Sequence, residues 1–295
     1  MLLAVVVLLG WFPMRGQLLW RITGGALDRP SYLCGTYHLA PASFIDSIQG
    51  LRQVIPLVDE VVGEINRDSL LSKPAQQRMA LAMMAPADST LDRLVSPEGY
   101  RIIEKVFNKY YGSFGIGLET FNGLKPAAIA LQIELLQSAE DQEILPSGAS
   151  NVLDIAIQDV ARNAGRKFAG LESVDDQIAL LFGASLRDQA ASLLEMCQHD
   201  DDHVGNTVSI YGTYCKQDVE ALYRLTTDPS TGMTPAELQR MVVDRNVAWV
   251  STLQQWMPHR SLLVAVGAGH LGGPQGMIAL LREKGYTVEP CTRVP

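Results

Sequence analysis

The sequence predicts an α/β (α+β) fold in which a central mixed sheet is flanked by helices. Five short apolar runs are typical of strands: Ser31–Gly35, Glu60–Glu64, Lys167–Glu172, Ser261–Gly267 and Tyr286–Pro290. Stretches with helical periodicity lie between these runs. A strand followed by Gly-x-x-His occurs once near each end of the chain. We therefore expect a sheet built from two halves, each contributing one such motif.

The N-terminal segment Leu2–Phe12 is apolar throughout. It is too short to cross a bilayer, which takes about 20 residues, but it has the character of a secretory signal. We predict an export signal over residues 1–16, a single domain over 17–295 and a periplasmic or cell-envelope location. The same segment would also allow membrane association.

Three helical features follow along the chain. Residues 70–147 hold several helical patterns and no strand-like run, which predicts a helical insertion in the first half. The stretch Asn151–Ala164 carries apolar residues on one face and is followed by Gly165 as a stop. Thr234 and Glu237 form a capping-box pattern with proline between them, so a helix is expected to begin there.

Composition restricts the partners and the redox chemistry. A net charge of −8 disfavours nucleic acid, whose binding requires clustered Lys and Arg. Four cysteines in an exported chain permit two disulfides. Cys197–Cys215 is the favoured pair, because both lie in polar, helix-like stretches. Cys34 and Cys291 could pair across neighbouring strands, or equally be small buried apolar residues.

Polar side chains end four of the predicted strands. His38 and His270 follow the strands of the two Gly-x-x-His motifs, and Glu64 and Glu172 close two others. The C-terminal ends of neighbouring strands converge on one edge of an α/β sheet, so all four side chains could share a cleft. Two histidines with carboxylates form a ligand set that suits a divalent transition metal.

Arg245 falls on the apolar face of the helix predicted to begin at Thr234. A buried guanidinium requires an anion, which could be Glu64, Glu172 or a substrate oxyanion. We expect it to face the substrate, so that its loss would spare folding. The alternative is an edge arginine whose head reaches water.

Two other patterns are weaker. Gly267, Gly269 and Gly272 form G-x-G-x-x-G, but too little chain follows for a dinucleotide fold, which favours a plain strand-to-helix turn. His199 and His203, with aspartates between them, could bind a cation if helical, although a solvated charged face is the more usual meaning of such a cluster.

Segments distributed over nearly the whole chain resemble the TraB/GumN family, which is related to the Tiki proteins and more distantly to the erythromycin-esterase/ChaN-like group. They are YLCGTYHLAP, EVVGEIN, LDIAIQDVARNAGRKFAGLESVDDQ, VVDRNVAWV and VAVGAGHLGGPQGMIALLREKGYTVEP. By position, His38 and His270 match the motif histidines, Glu64 the acidic residue of the second strand, and Arg245 the arginine of the "RN" helix. Glu172 and Gln177 match GLE-x-x-x-x-Q. Tyr37 departs from the pattern, in which a small aliphatic residue is common.

The resemblance implies an exported, metal-dependent hydrolase, most like the Tiki metalloproteases. A divalent metal (Mn, Co or Zn) would be held by His38, His270 and Glu64. Glu64, Glu172 and Arg245 are the candidate catalytic residues, with Arg245 stabilising an oxyanion and a peptide or protein as substrate. Two alternatives remain open: a haem- or iron-binding ChaN-like module without turnover, and a purely structural ion network.

Overall fold

The computed structural model describes residues 17–144, 152–228 and 234–293, and the predicted export signal lies outside them. Its centre is a six-stranded mixed sheet in the order β4-β3-β5-β2-β1-β6. The strands are β1 Leu19–Gly24, β2 Ser31–Thr36, β3 Glu60–Ile65, β4 Lys167–Glu172, β5 Leu262–Gly267 and β6 Tyr286–Pro290. β2, β3, β4 and β5 are parallel, whereas β1 is antiparallel to both β2 and β6. The predicted fold class is confirmed.

Burial follows the strand order. All six residues of β2 are buried, as are five of the six in β5, and these two strands lie in the interior of the sheet. Parallel strands covered on both faces read as continuous apolar runs, which is why the sequence revealed them. β4 lies at an edge, and none of its residues is fully buried.

The strand β1 was not predicted. Its sequence, LWRITG, is short and is interrupted by the exposed Arg21. It also follows closely on the apolar run assigned to the export signal. In the fold, Leu19 and Ile22 are fully buried, and β1 fills the place between β2 and β6.

Helices cover the sheet and form a second layer beside it. They are α1 Leu51–Val54, α2 Arg67–Leu70, α3 Lys73–Ala82, α4 Leu91–Leu94, α5 Pro97–Tyr111, α6 Pro126–Ile144, α7 Leu153–Asn163, α8 Val174–Phe182, α9 Leu186–Gln198, α10 His203–Cys215, α11 Val219–Thr226, α12 Pro235–Leu238, α13 Asp244–Trp256 and α14 Met277–Glu283. Within the described ranges, no helix has the length and apolar character that crossing a bilayer requires.

A second hydrophobic core forms in the region where the helical insertion is predicted. Helices α4, α5 and α6 contribute Leu91, Phe107 and Ile133, and α9 closes the cluster with Leu193 and Cys197. Because α9 lies after β4, this core is not confined to residues 70–147. The division of the chain into a domain with an insertion stays a prediction.

The helix predicted to begin at Thr234 has the expected cap. Thr234 Oγ1 accepts from the Glu237 backbone N–H at 3.2 Å, and Glu237 Oε2 accepts from the Thr234 N–H at 3.0 Å. A π-helical segment, Gln239–Val243, then separates α12 from α13. Such segments recur next to functional sites because they change the direction in which the following side chains point. Arg245 lies just after it.

The favoured disulfide, Cys197–Cys215, is wrong, because all four cysteines are free. Cys197 is buried in the helical core with Leu193, whereas Cys215 ends α10 and is exposed. Cys34 and Cys291 are both buried in the sheet core, consistent with the alternative of small apolar side chains.

Candidate functional site

The four strand-end residues lie along one edge of the sheet. β4, β3, β5 and β2 are neighbours in that order and run parallel, so their C-terminal ends point the same way. Glu172 ends β4, Glu64 is the penultimate residue of β3, and His270 and His38 follow β5 and β2. The edge of an open parallel sheet where such ends meet is the usual place for a ligand.

Arg245 joins the two glutamates. Its Nε and Nη2 atoms donate to Glu172 at 2.6 and 3.2 Å, and Nη2 also donates to Glu64 Oε2 at 2.6 Å. The side chains are only 12%, 10% and 19% exposed for Arg245, Glu172 and Glu64. Burial lowers the pKa of Arg245, but the two carboxylates outweigh it and raise the pKa. We predicted that Arg245 would bind Glu64, Glu172 or a substrate oxyanion, and it binds both glutamates.

Trp249 completes the support of this ion pair from one helical turn further along α13. Its indole Nε1 donates to Glu172 Oε1 at 2.9 Å. The Arg245 guanidinium lies 4.5 Å from the centre of the same ring, within the range of a cation–π contact. Glu172 also accepts a hydrogen bond from the Gln177 amide. Arg245 is thus held in orientation by Glu172 and Trp249 independently of Glu64.

The buried His270 is fixed by Asn246. The Asn246 amide donates to the carbonyls of His270 and Gln275 at 3.3 and 2.9 Å, so its oxygen must face the His270 ring. That oxygen lies 2.8 Å from His270 Nδ1, which therefore carries the proton. The Nε2 lone pair is left facing the Arg245 Nη1 at 3.3 Å. Burial lowers the pKa of His270 to about 4, which keeps the ring neutral.

His38 is held in the same way by a different residue. Its Nδ1 lies 3.2 Å from Asp154 Oδ2, in the first turn of α7. This hydrogen bond raises the pKa of His38 to about 9. The His38 side chain is 74% exposed, so its Nε2 faces a solvent-accessible region. The negative charge of Glu64 acts to raise the pKa of both histidines, although burial lowers that of His270 overall. The two rings therefore share one electrostatic environment.

Glu64 receives a backbone contact from the second Gly-x-x-His motif. The Gly267 N–H donates to Glu64 Oε1 at 2.9 Å. Burial raises the pKa of Glu64, but the Arg245 charge and this N–H act against it, and the pKa is lowered. A Cβ on Gly267 would lie 3.3 Å from the same oxygen, which explains why a glycine suits this position.

The glycine of the first motif has a different reason. A Cβ on Gly35 would lie 3.0 Å from the Cβ and 3.1 Å from the Cα of Ala268. The two Gly-x-x-His turns therefore pack against each other. Tyr37, the departure noted in the sequence, packs its ring against Tyr211 and Tyr214 of α10, with centroids 6.3 and 5.5 Å away.

Sequence reasoning missed Asp154 and Asn246 and treated Trp249 only as part of an apolar face. Asp154 is 116 residues from His38, and only the fold brings the two together. A signal was nevertheless present for each. Asp154 is the acidic residue in the first turn of an otherwise apolar-faced helix, and Asn246 follows Arg245 directly in the "RN" pair.

Of the weaker patterns, Gly267 reaches this site through its N–H to Glu64. A Cβ on Gly272 would lie 2.5 Å from Val219 O, so the glycine-rich loop serves its close packing on α11. His199 caps the end of α9, and the side chain of His203 lies outside the described residues.

The donors fit a divalent metal in their chemistry but are not gathered around one point. Each motif histidine has Nδ1 facing an oxygen, the arrangement that presents Nε2 to a metal. Yet among the described residues no three His, Cys, Asp or Glu side chains are close enough to hold an ion. Arg245 lies at His270 Nε2 instead, and both Glu64 oxygens are engaged. Trp249 and Arg245 crowd the His270 ring, which disfavours this histidine as a haem ligand.

Comparison with known proteins gives two findings. The sequence model of the TraB/PrgY/gumN family matches residues 18–290. The metalloprotease TIKI2 of Danio rerio is 23% identical over an alignment of 323 residues that covers 92% of this chain. The chain spans 60% of the length of that relative. No solved structure matches.

Proposed function

The chain belongs to the TraB/PrgY/gumN family, and on that premise we propose that it is an exported, Tiki-like, metal-dependent hydrolase that cleaves peptide bonds. His38, His270 and Glu64 would hold a divalent metal. The substrate would be a peptide or a protein, as the name of the similar metalloprotease suggests. Export and a cell-envelope location are part of the proposal.

One observation carries the proposal: both motif histidines are oriented through Nδ1 by oxygen acceptors. Asp154 does this for His38 at 3.2 Å, and Asn246 for His270 at 2.8 Å. Histidines that ligate a metal almost always have such partners, because these fix the tautomer and direct Nε2. If the two histidines only filled space in the core, nothing would require both of them to have an oxygen acceptor at Nδ1.

The charges in the site also favour a cation. Glu64 and Glu172 bind the Arg245 guanidinium, and a third carboxylate, Asp154, binds His38. With His38 in its neutral, ligating form, these carboxylates outnumber the positive charges. A divalent cation would balance this excess, and binding it would displace the proton that Asp154 otherwise stabilises on His38.

When bound, the metal would supply an acidified water and a polarised carbonyl. The chain's own groups account for the rest. Glu172 and Trp249 keep Arg245 in place if Glu64 turns to the metal, so the guanidinium remains beside the site to stabilise an oxyanion. Asn246 keeps the proton of His270 on Nδ1, away from the reacting groups.

Metal analysis of protein purified without chelator tests the proposal. We expect bound Mn, Co or Zn in the unchanged protein, and its loss together with peptidase activity in His38→Ala and His270→Ala. His259→Ala is the matched control, because His259 is exposed and precedes β5 at the opposite end of that strand. Undiminished metal content in both motif variants would refute the metal site.

A further inference from the structure

The strand β4 has a free edge next to the site. It is the terminal strand of the sheet and pairs only with β3 among the described strands. Alternate residues of such a strand direct their N–H and C=O groups away from the sheet, where another extended chain can bind them. Proteins commonly block exposed edges with charge, and after Lys167 the strand FAGL carries none until Glu172.

An open cleft of about 630 Å³ follows this edge. Ala169, Gly170 and Glu172 of β4 line one side, and Ser69 of α2 and Ser72, the N-cap of α3, line the other. The volume lies within the range of ligand sites, about 300–1,000 Å³. Arg78 and Asp175 also border the cleft, and the Asn66 amide already binds one β4 carbonyl, that of Phe168, at 3.1 Å. Most of the remaining lining is small or neutral, so it offers backbone groups.

The cleft is continuous with the candidate site through Glu172. That carboxylate lines the cleft and also binds Arg245 and Trp249. The far wall is tied to the segment after β4, because Arg78 of α3 donates to Asp175 of α8 at 3.0 Å. A chain lying along β4 in this cleft therefore has one end beside the Arg245 network.

We propose that an extended segment of the substrate binds in this cleft by pairing its backbone with the free edge of β4. The inference rests on the proposed peptidase function and names how that site recognises its substrate. An extended polypeptide is the occupant that matches a row of backbone donors and acceptors, and main-chain pairing of this kind gives affinity with little dependence on sequence.

The sheet order sets the distance between this segment and the cleaved bond. Strands lie about 4.8 Å apart, and β5 and β2, which precede the two histidines, are two and three strands from β4. A peptide outside β4 must cross roughly 15–20 Å of the sheet edge, which takes about five residues at ~3.3 Å each. The paired segment would lie that far from the scissile bond.

Fluorescence anisotropy with a labelled, uncharged dodecapeptide tests the pairing. Its counterpart, methylated at every second backbone nitrogen, keeps the side chains but loses the donors that strand addition requires. We expect the unchanged protein to bind the parent peptide about tenfold more tightly than the methylated one, the effect of losing a few hydrogen bonds. Ser69→Trp, which fills the cleft, should bind both weakly and alike.

Gln77→Trp is the matched control, because Gln77 is exposed on α3 and does not line the cleft. It should bind like the unchanged protein. Equal affinity for the two peptides, or an unaffected Ser69→Trp, would overturn the inference. So would a dimer, seen by sedimentation, that Ser69→Trp dissociates, since a second copy would then occupy the edge.

The same measurement separates this inference from the proposed function. His38→Ala should retain methylation-sensitive binding, because His38 lies three strands from β4. Such binding without hydrolysis by the unchanged protein would refute the peptidase and leave the binding edge standing. Hydrolysis that is insensitive to methylation would refute the binding edge and leave the peptidase standing.

Discussion

Glu172 binds Arg245 through both of its oxygens, at 2.6 Å from Nε and 3.2 Å from Nη2, while Glu64 takes the remaining side of Nη2 at 2.6 Å. Sequence reasoning expected this arginine to face the substrate and to be dispensable for folding. The geometry makes it the common partner of two buried carboxylates. Arg245 could still stabilise an oxyanion. Replacing it, however, would change stability and activity together, so activity loss alone cannot reveal that role.

We therefore predict that Arg245→Met strongly destabilises the protein. Removing one partner of a buried ion pair costs about 3–5 kcal/mol, because the carboxylates stay buried without compensation. Arg78→Met is the control, since Arg78 is 50% exposed in a surface pair with Asp175 and should cost no more than about 1 kcal/mol. Urea unfolding measures both, and a small loss in Arg245→Met would contradict the structural role.

The second prediction concerns the tautomer of His270. Nitrogen NMR of the imidazole should show the proton on Nδ1, because Asn246 Oδ1 accepts from it at 2.8 Å. Asn246→Leu removes this acceptor, and both tautomers should then be populated. His259, which is exposed, provides the reference signal. A proton on Nε2 in the unchanged protein would contradict the orientation on which the proposed metal site depends.

The third prediction is a pH dependence of stability from the helical core. Asp200 is buried and accepts from Lys109 at 2.6 Å, Tyr110 at 2.7 Å and Gln137 at 3.0 Å. Burial raises the pKa of Asp200, but these donors outweigh it and lower the pKa. A carboxyl group with a depressed folded-state pKa stabilises the protein above its unfolded value of about 3.9, and this stability is lost as the pH falls through the folded value.

Unfolding of Asp200→Asn from pH 7 to pH 3 checks this sign. The variant should be less stable than the unchanged protein by about 1–3 kcal/mol at neutral pH, and the difference should shrink below about pH 4. Asp201→Asn makes the same charge change at an exposed neighbour and should have little effect on stability. A difference that grows on acidification would reverse the assignment.

The fourth prediction tests the contact between the two motif turns. Gly35→Ala places a Cβ 3.0 Å from that of Ala268 in a buried position, and overpacking of this kind costs about 1–3 kcal/mol. Adding Ala268→Gly should recover part of the loss. Gly212→Ala is the control, because a Cβ there meets nothing within 4 Å on α10 and should be neutral or stabilising. Additive effects of the first two substitutions would show that they are not in contact.

The fifth prediction concerns the reactivity of the four free thiols. In the native protein, a thiol reagent should react quickly only with Cys215, because Cys34, Cys197 and Cys291 are buried. Burial raises the pKa of Cys34 and Cys291, and that of Cys197 to about 12, which further slows them. Cys215→Ser should remove the fast reaction, and denaturant should expose the other three. Finding only two thiols after denaturation without reductant would restore a disulfide.

The site was predictable as far as it depends on strands. His38, Glu64, Glu172 and His270 each follow or end an apolar run, and parallel strands bring such ends together whatever the details of packing. Arg245 was identifiable because a charge on an apolar helix face demands a partner. β1 was not identifiable, since Arg21 interrupts its short apolar run and the longer apolar run of the predicted export signal lies just before it. The sequence marks Asp154 and Asn246 only by their positions in their helices, and their contacts with the histidines come from tertiary packing. The position of Arg245 at His270 Nε2 depends on the same packing.

The packing of Gly35 on Ala268 has a consequence for biosynthesis. The two turns belong to β2 and β5, which pair directly although most of the chain lies between them. Before β5 has emerged from the ribosome, a nascent chain already has His38 and Asp154. It still lacks His270 and the strand that aligns the two turns. The chain between β2 and β5 forms a long loop, and the pairing that closes it is slow and occurs late in folding. The site is therefore assembled only with the last elements of the fold, and a stalled or truncated chain is left without it.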